Sequence, residues 1–180
     1  VTELVVLAGP DGQPVGTAPK AQVHTHDTPL HFAFSCWVLR GEQVLLTRRA
    51  VSKQTWPGVW TNAFCGHPGP GEDPVAALLR RADFELGLDD AALSSPELVV
   101  ADFSYRAVDS SGIVEHEICP VYVAQLLPDA QLRPNPAEVD SYAWAPISAL
   151  VRAVEATPFA FSPWLVEELA LPQLRGRLGL

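Results

Sequence analysis

The chain has 180 residues, 48% of them hydrophobic, a formal net charge of −9 and a pI near 4.9. That length suits one domain with a proper core, and the acidic balance excludes a non-specific nucleic-acid or anionic-membrane binder, which needs a basic face. Cys36, Cys65 and Cys119 are odd in number and lack disulfide-like spacing, so they read as free thiols in a reducing, cytoplasmic compartment.

In chain order, 3 to 8 (ELVVLA) reads as a strand, and PDGQPVG as a turn with Asp11-Gly12 as its hairpin signal. LHFAFSCWVL, 30 to 39, is apolar and aromatic-rich and predicts a buried strand. Gly41-Glu42 turns into a second strand, QVLLTRR. Residues 50 to 71 form a long loop with a short strand at 60 to 65; loops of that length inside a domain are usually functional. The clearest helix follows. Asp73 suits the N-cap, Pro74 the first helical position and Gly87 the stop. Val75, Leu78, Leu79, Ala82 and Leu86 make its apolar stripe, with Arg81 and Glu85 on one flank. Strands are expected at 97 to 107 and 114 to 127, then a last strand, a helix at about 147 to 156 and a helical tail at 163 to 177. With no repeat or linker, the pattern predicts one α+β domain over 1 to 180. No apolar run reaches the ~20 residues of a membrane span. The start lacks signal-peptide features, and with no methionine in the chain the numbering is expected to begin on a mature or truncated end.

Four stretches carry chemistry. HTHDTPLH holds His24, His26 and His31, three of the five histidines. It is either a polar turn or part of a metal site that needs further ligands from elsewhere. TNAFCGHPGPGE puts Cys65 two residues from His67, too few groups for a structural zinc site. The thiol is a nucleophile, a proton-transfer group or an inert core residue. In GIVEHEICP, strand alternation aims Glu115, Glu117 and Cys119 at one face. Two carboxylates that close, if buried, require a cation or a shared proton. Lastly, GHPGPGEDPVAALLRRADFELGL spaces Gly66, Glu72, Arg80 and Glu85 as a loop-helix. It resembles the Nudix box, which holds divalent cations on a diphosphate. Two of that box's acidic positions are Arg81 and Phe84 here, and a pyrophosphohydrolase needs several carboxylates.

Taken together, THDTPLHFAFS, RRAVSKQTWPGVWTNAFCGHP, RRADFELG, DFSYRAVDSSGIVEHEICPVY and ATPFAFSPW resemble the type I isopentenyl-diphosphate isomerases, in that family's order and across almost the whole chain. The resemblance implies an α+β, Nudix-like mixed sheet sandwiched by helices. It implies interconversion of isopentenyl and dimethylallyl diphosphate in the cytoplasm, by a monomer or weak homodimer with no nucleic-acid or membrane partner. A divalent ion, Mn²⁺ or Zn²⁺, is implied at His24, His31, His67, Glu115 and Glu117, and a Mg²⁺ on the substrate diphosphate at Glu85. Lys20, Arg49, Lys53 and Arg81 are implied as diphosphate contacts. Cys65, Glu117, Tyr105 and Trp164 are implied as the catalytic set. His26 and His116 stay unassigned.

The residue types suit that chemistry. Moving an unactivated double bond adds one proton and removes another through a tertiary carbocation, so the site must be dry and hold both an acid and a base. Cys65 and Glu117 are expected to fill those roles, steadied by Tyr105. An electron-rich Trp164 face is worth roughly 2 kcal/mol to a desolvated cation. The diphosphate is a handle that is not cut, so one carboxylate is enough for its metal, and Arg81 replaces another.

Overall fold

A computed structural model describes residues 3–180. Val1 and Thr2, part of the expected 1 to 180 domain, lie outside the described residues. The chain opens with β1 (Leu4–Ala8) and β2 (Pro14–Pro19), an antiparallel hairpin turning at Asp11-Gly12. The sequence reading made 10 to 16 all turn. The strand instead resumes at Pro14 as a sheet edge, where a proline's missing N–H is tolerated. One helical turn, α1 (Lys20–Val23), leads to β3 (His31–Phe32), β4 (Phe34–Arg40) and β5 (Gln43–Arg49). Two short strands, β6 (Trp60–Thr61) and β7 (Phe64–Gly66), precede α2 (Pro74–Leu86). Then come β8 (Glu97–Val100), β9 (Ser104–Val108), β10 (Val114–Ile118), β11 (Val121–Gln125) and β12 (Val139–Pro146). The chain closes with α3 (Ile147–Ala156), α4 (Pro163–Ala170) and α5 (Pro172–Arg177).

The strands form two sheets, ordered β2-β1-β3-β10-β9 and β12-β5-β4-β11-β8, with β6 beside β5 and β7 beside β4. The α+β class with mixed sheets therefore holds. Four runs read as single strands turn out to be pairs: 60 to 65 is β6 and β7, both beside the second sheet, 30 to 39 is β3 and β4, 97 to 107 is β8 and β9, and 114 to 127 is β10 and β11. In each of the last three pairs one half belongs to each sheet. Two of the corners are locked together, because β3 pairs parallel to β10 and β4 parallel to β11. Ala33 N donates to Ile118 O at 2.9 Å, and Ser35 N to Pro120 O at 3.0 Å. Pro120 has no N–H to continue the ladder and marks one corner. Ala33 gives no such signal, because apolar residues continue through the bend.

Both faces of the second sheet are covered, which explains its near-continuous apolar strands. Phe34, Cys36 and Val38 of β4 pack with Ala77, Leu78, Ala82 and Leu86 of α2. The alternate residues Trp37 and Leu39 pack with Leu150 and Val154 of α3 and Trp164, Leu165 and Leu169 of α4. Helix α2 begins as its sequence predicts. Asp73 Oδ1 accepts from Val75 N and Ala76 N, each at 3.0 Å. It ends on Gly87, whose φ of 64° favours glycine and whose N–H donates to Asp83 O at 2.8 Å. Gly66 allows a close approach: a Cβ there would lie 2.7 Å from both Arg81 Cγ and Phe34 Cζ. The absent side chain thus sets α2 tight against β7.

Candidate active site

The parallel pairing of β3 and β10 sets Glu117 beside His31, and the antiparallel pairing of β10 and β9 sets it beside Tyr105. A cavity of about 480 Å³ opens here, lined by both sheets, α2 and α4. His24 follows α1 and His67 follows β7. One ligand atom from each of His24, His31, His67 and Glu117 falls within 4.8 Å of the others. Glu117 Oε1 is 4.0 Å from His24 Nε2, 3.4 Å from His31 Nε2 and 3.0 Å from His67 Nε2.

These groups fit a divalent cation. The Pro29 carbonyl lies 2.9 Å from His31 Nδ1, which places that ring's proton on Nδ1 and leaves Nε2 as a lone-pair donor. The buried Nε2 atoms of His24 and His31 have no hydrogen-bond partner, and buried polar atoms seldom stay unpaired. Neutral imidazoles and a carboxylate are the donors Zn²⁺ and similar ions take. Burial acts to raise the pKa of Glu117, but the three histidine rings gathered round it outweigh burial and hold the carboxyl well below its usual range. Burial lowers His67 to about 4, despite its bond to Glu117, so its ring is neutral near pH 7.

Glu115 shares the expected face but stands apart from this group. One of its oxygens accepts from Thr55 Oγ1 and the other from the Tyr105 hydroxyl at 2.8 Å. The same hydroxyl lies 2.9 Å from Glu117 Oε2. A phenol has one proton, so Tyr105 links two carboxylates and satisfies only one of them at a time. Burial first, then these two carboxylates, push Tyr105 well above its ordinary value. His26 bonds the Gly112 carbonyl at 2.8 Å and braces a turn. His116 lies on the other face of β10, as alternation requires.

Lys20, Arg49, Lys53, Arg81 and Glu85 all line the cavity. Each cation already has a partner. Lys20 Nζ is 2.9 Å from Glu3 Oε1, Lys53 pairs with Glu138, and Arg81 pairs with Glu85 and lies 3.5 Å from Glu138 Oε1. Arg49 donates to the Thr55 carbonyl at 2.9 Å, and its guanidinium carbon is 5.3 Å from the centre of the Trp164 ring. Glu72 and Arg80 of the Nudix-like skeleton face each other at 2.7 Å, and Glu72 also accepts from Gly69 N at 2.7 Å. They hold the loop and do not line the cavity.

Cys65 is delivered by β7, directly across from Ser35 of β4. Its sulfur is 3.5 Å from Asn62 Nδ2 and 3.6 Å from Asn62 Oδ1. Burial, then the nearby Glu168 carboxyl, keep the thiol well above its ordinary pKa, so it carries its proton at neutral pH. Trp164 is 1% exposed, both core residue and cavity wall; its Nε1 donates to Asn62 Oδ1 at 3.1 Å. Asn62, Ser35, Thr55 and Glu138 were missed in the sequence. Asn62 alone left a trace there, a carboxamide inside the apolar stretch VWTNAF.

The NUDIX domain model matches residues 29–165. The isopentenyl-diphosphate Delta-isomerase of Corynebacterium glutamicum is 55% identical over 175 residues, covering 96% of this chain and 92% of that protein. That of Paenarthrobacter aurescens is 58% identical over 174 residues, covering 96% and 91%. Among solved structures, DR0079 from Deinococcus radiodurans superposes with a TM-score of 0.71 at 20% identity, covering 93% of this chain and 97% of that one, a likeness of fold. Identity above half over nearly the full length of both partners leaves the cavity no other lineage: the chain belongs to the isopentenyl-diphosphate Delta-isomerase family, built on a NUDIX domain.

Proposed function

We propose that this chain, acting as one domain, interconverts isopentenyl and dimethylallyl diphosphate in isoprenoid biosynthesis, by adding and removing protons through a tertiary carbocation. The observation that carries this reading is the pairing of a protonated thiol with an ionised carboxylate, Cys65 from one sheet and Glu117 from the other, in the wall of one cavity. A proton donor and a proton acceptor are what a 1,3 proton shift uses. Hydrolysis needs clustered carboxylates on α2, where this chain has Arg81 and an exposed Phe84.

A divalent ion bound by the three histidines and Glu117, Mn²⁺ or Zn²⁺, with Glu115 adjoining, would supply the charge that keeps Glu117 ionised and fixed, and a Mg²⁺ near Glu85 would screen the substrate's diphosphate. Lys20, Arg49, Lys53 and Arg81 exchange carboxylate and carbonyl partners for phosphate oxygens, which anchors one end of the substrate. With that end fixed, the five-carbon end reaches Cys65, Glu117 and Trp164. Cys65 Sγ gives up its proton to one carbon and a Glu117 oxygen collects one from another; the reverse reaction runs the other way. Tyr105 carries its single proton to whichever of Glu115 and Glu117 has the greater charge. The Trp164 ring stabilises the cation and, with Tyr105, keeps water from it.

Among the described residues no helix is long and apolar enough to cross a membrane. The free thiols suit a reducing, cytoplasmic compartment, and the proposal takes the enzyme as a monomer or weak homodimer there. The test is an NMR assay in D₂O with Mg²⁺ and isopentenyl diphosphate, wild type beside Cys65→Ala. Deuterated dimethylallyl diphosphate in the wild-type tube alone is the expected result. Release of inorganic phosphate would instead make the chain a hydrolase.

A further inference from the structure

Glu168 lies on α4, one turn after Trp164, and is 0% exposed. It has no ion-pair partner among the described residues. Its Oε2 accepts from Trp37 Nε1 at 2.6 Å and from Ser35 Oγ at 2.9 Å. Its Oε1 is buried without a partner. Ser35 Oγ, having given its proton to Glu168, accepts from Asn62 Nδ2 at 2.9 Å. Asn62 is the residue that brackets the Cys65 sulfur and holds the Trp164 indole. A continuous chain of bonds therefore runs from Glu168 to both groups that face the carbocation.

We propose that Glu168 is a positioning residue of the isomerase: through Ser35 it helps to fix the Asn62 carboxamide in place, and through Asn62 the Cys65 thiol and the Trp164 ring. Direction is the essential point. Ser35 has one proton, and the carboxyl claims it, so the serine oxygen is left as an acceptor. That acceptor draws Asn62 Nδ2 inward, where it also meets the Cys36 carbonyl at 3.0 Å and the Phe64 carbonyl at 3.1 Å. Oδ1 is thereby turned toward Trp164 Nε1 and the thiol. Without the carboxyl, Ser35 is free to turn its proton toward Asn62, and Nδ2 loses one of its three oxygen acceptors; the Cys36 and Phe64 carbonyls and the Trp164 indole still favour this orientation, but the carboxamide is held less tightly.

The charge state supports this. Burial raises Glu168 to about 8, against the bonds from Trp37 and Ser35, with Glu117 and Glu167 adding to the rise. The other titratable groups near it are the thiols of Cys36, Cys65 and Cys119, each of which this carboxyl pushes upward. Below about pH 8 Glu168 is a neutral acid. Above it, an unpaired negative charge appears behind the thiol and opposes departure of the Cys65 proton.

The proposal rests on Cys65 transferring a proton in isomerisation, so steady-state kinetics are measured on wild type, Glu168→Leu, Glu168→Gln, Ser35→Ala and the Glu168→Leu/Ser35→Ala double variant, with folded fraction checked by circular dichroism. Loss of one buried orienting bond is expected to lower kcat by about tenfold in Glu168→Leu, with KM within about twofold of wild type. Glu168→Gln keeps a carbonyl acceptor for Ser35 and Trp37. It is expected to recover part of kcat and to lose the fall in rate above pH 8. The double variant is expected to be no slower than Glu168→Leu, because both changes cut one chain. Folded Glu168→Leu at wild-type kcat, or losses that multiply in the double variant, would overturn the proposal. If Glu168→Leu does not fold, Ser35→Ala decides: wild-type kcat overturns the proposal and a fall with unchanged KM supports it. A wild-type chain that does not isomerise sinks the functional reading and this proposal together; an active wild type with indifferent variants sinks only the proposal.

Discussion

The thiol of Cys65 and the carboxyl of Glu117 owe the roles proposed for them to opposite outcomes of the same burial. No donor stronger than Asn62 offsets it at the sulfur, whereas three imidazoles offset it at the carboxylate. Cys65→Ala is expected to lower the isomerisation rate by at least ~10³-fold, within the span of general acid–base catalysis. Metal content, read by elemental analysis, should stay at the wild-type level, because the thiol is outside the His24, His31, His67 and Glu117 group. Removing one hydroxyl at Tyr105→Phe leaves Glu115 and Glu117 facing each other without a shared proton. A fall in kcat of about 10²-fold is expected, with KM little changed, and the kinetics of that variant check it. Glu168 affects stability as well. Its folded-state value of about 8 stands above its ordinary 4.5, so the native chain holds a proton that the unfolded chain has released. Its contribution is complete below about pH 4.5 and is lost as pH rises to 8. Urea unfolding should show a slope of up to about 1.4 kcal/mol per pH unit across that window, removed in Glu168→Gln.

At the scale of elements, α2 was legible in the sequence from end to end, because cap, stripe and stop are all local. Asp73→Ala should lower stability by ~1 kcal/mol in chemical denaturation, since the N–H groups of Val75 and Ala76 lose their acceptor. Gly66→Ala tests packing: the new methyl meets Arg81 and Phe34, so Arg81 must shift and diphosphate affinity should weaken. Calorimetric titration with isopentenyl diphosphate checks this. The strands were less legible. LHFAFSCWVL reads as a single strand because both halves are buried and neither shows a polar break. The bend at Ala33 is set by its pairing with Ile118, more than eighty positions away.

Over the whole molecule, the histidine cluster joins the segment after α1, the first sheet and the loop after β7, so metal is expected to stabilise the fold by linkage. At a hundredfold excess over its dissociation constant an ion adds about 2.7 kcal/mol. A chelator should lower Tm in the wild type and leave His67→Ala unmoved, by differential scanning calorimetry. Hydrogen exchange should show residues 20 to 31 gaining protection on metal addition, because His24 and His31 bracket that segment.

The sequence by itself determined the α+β class, the α2 loop-helix and the family resemblance, and it singled out thirteen candidate site residues. These are carried by local periodicity, by caps and by residue types that only particular chemistry requires. Tertiary structure decided where those residues meet. It drew three histidines and Glu117 into one group and left Glu115 against Thr55 and Tyr105. It filled the cationic wall with Glu3, Glu85 and Glu138, and it built the Glu168–Ser35–Asn62 chain behind Cys65. Which oxygen faces which donor depends on register between distant strands and on the sheet-switching corners. The physical reason is range: a hydrogen bond is decided over tenths of an ångström, while the pattern along the chain records only what lies within a few residues.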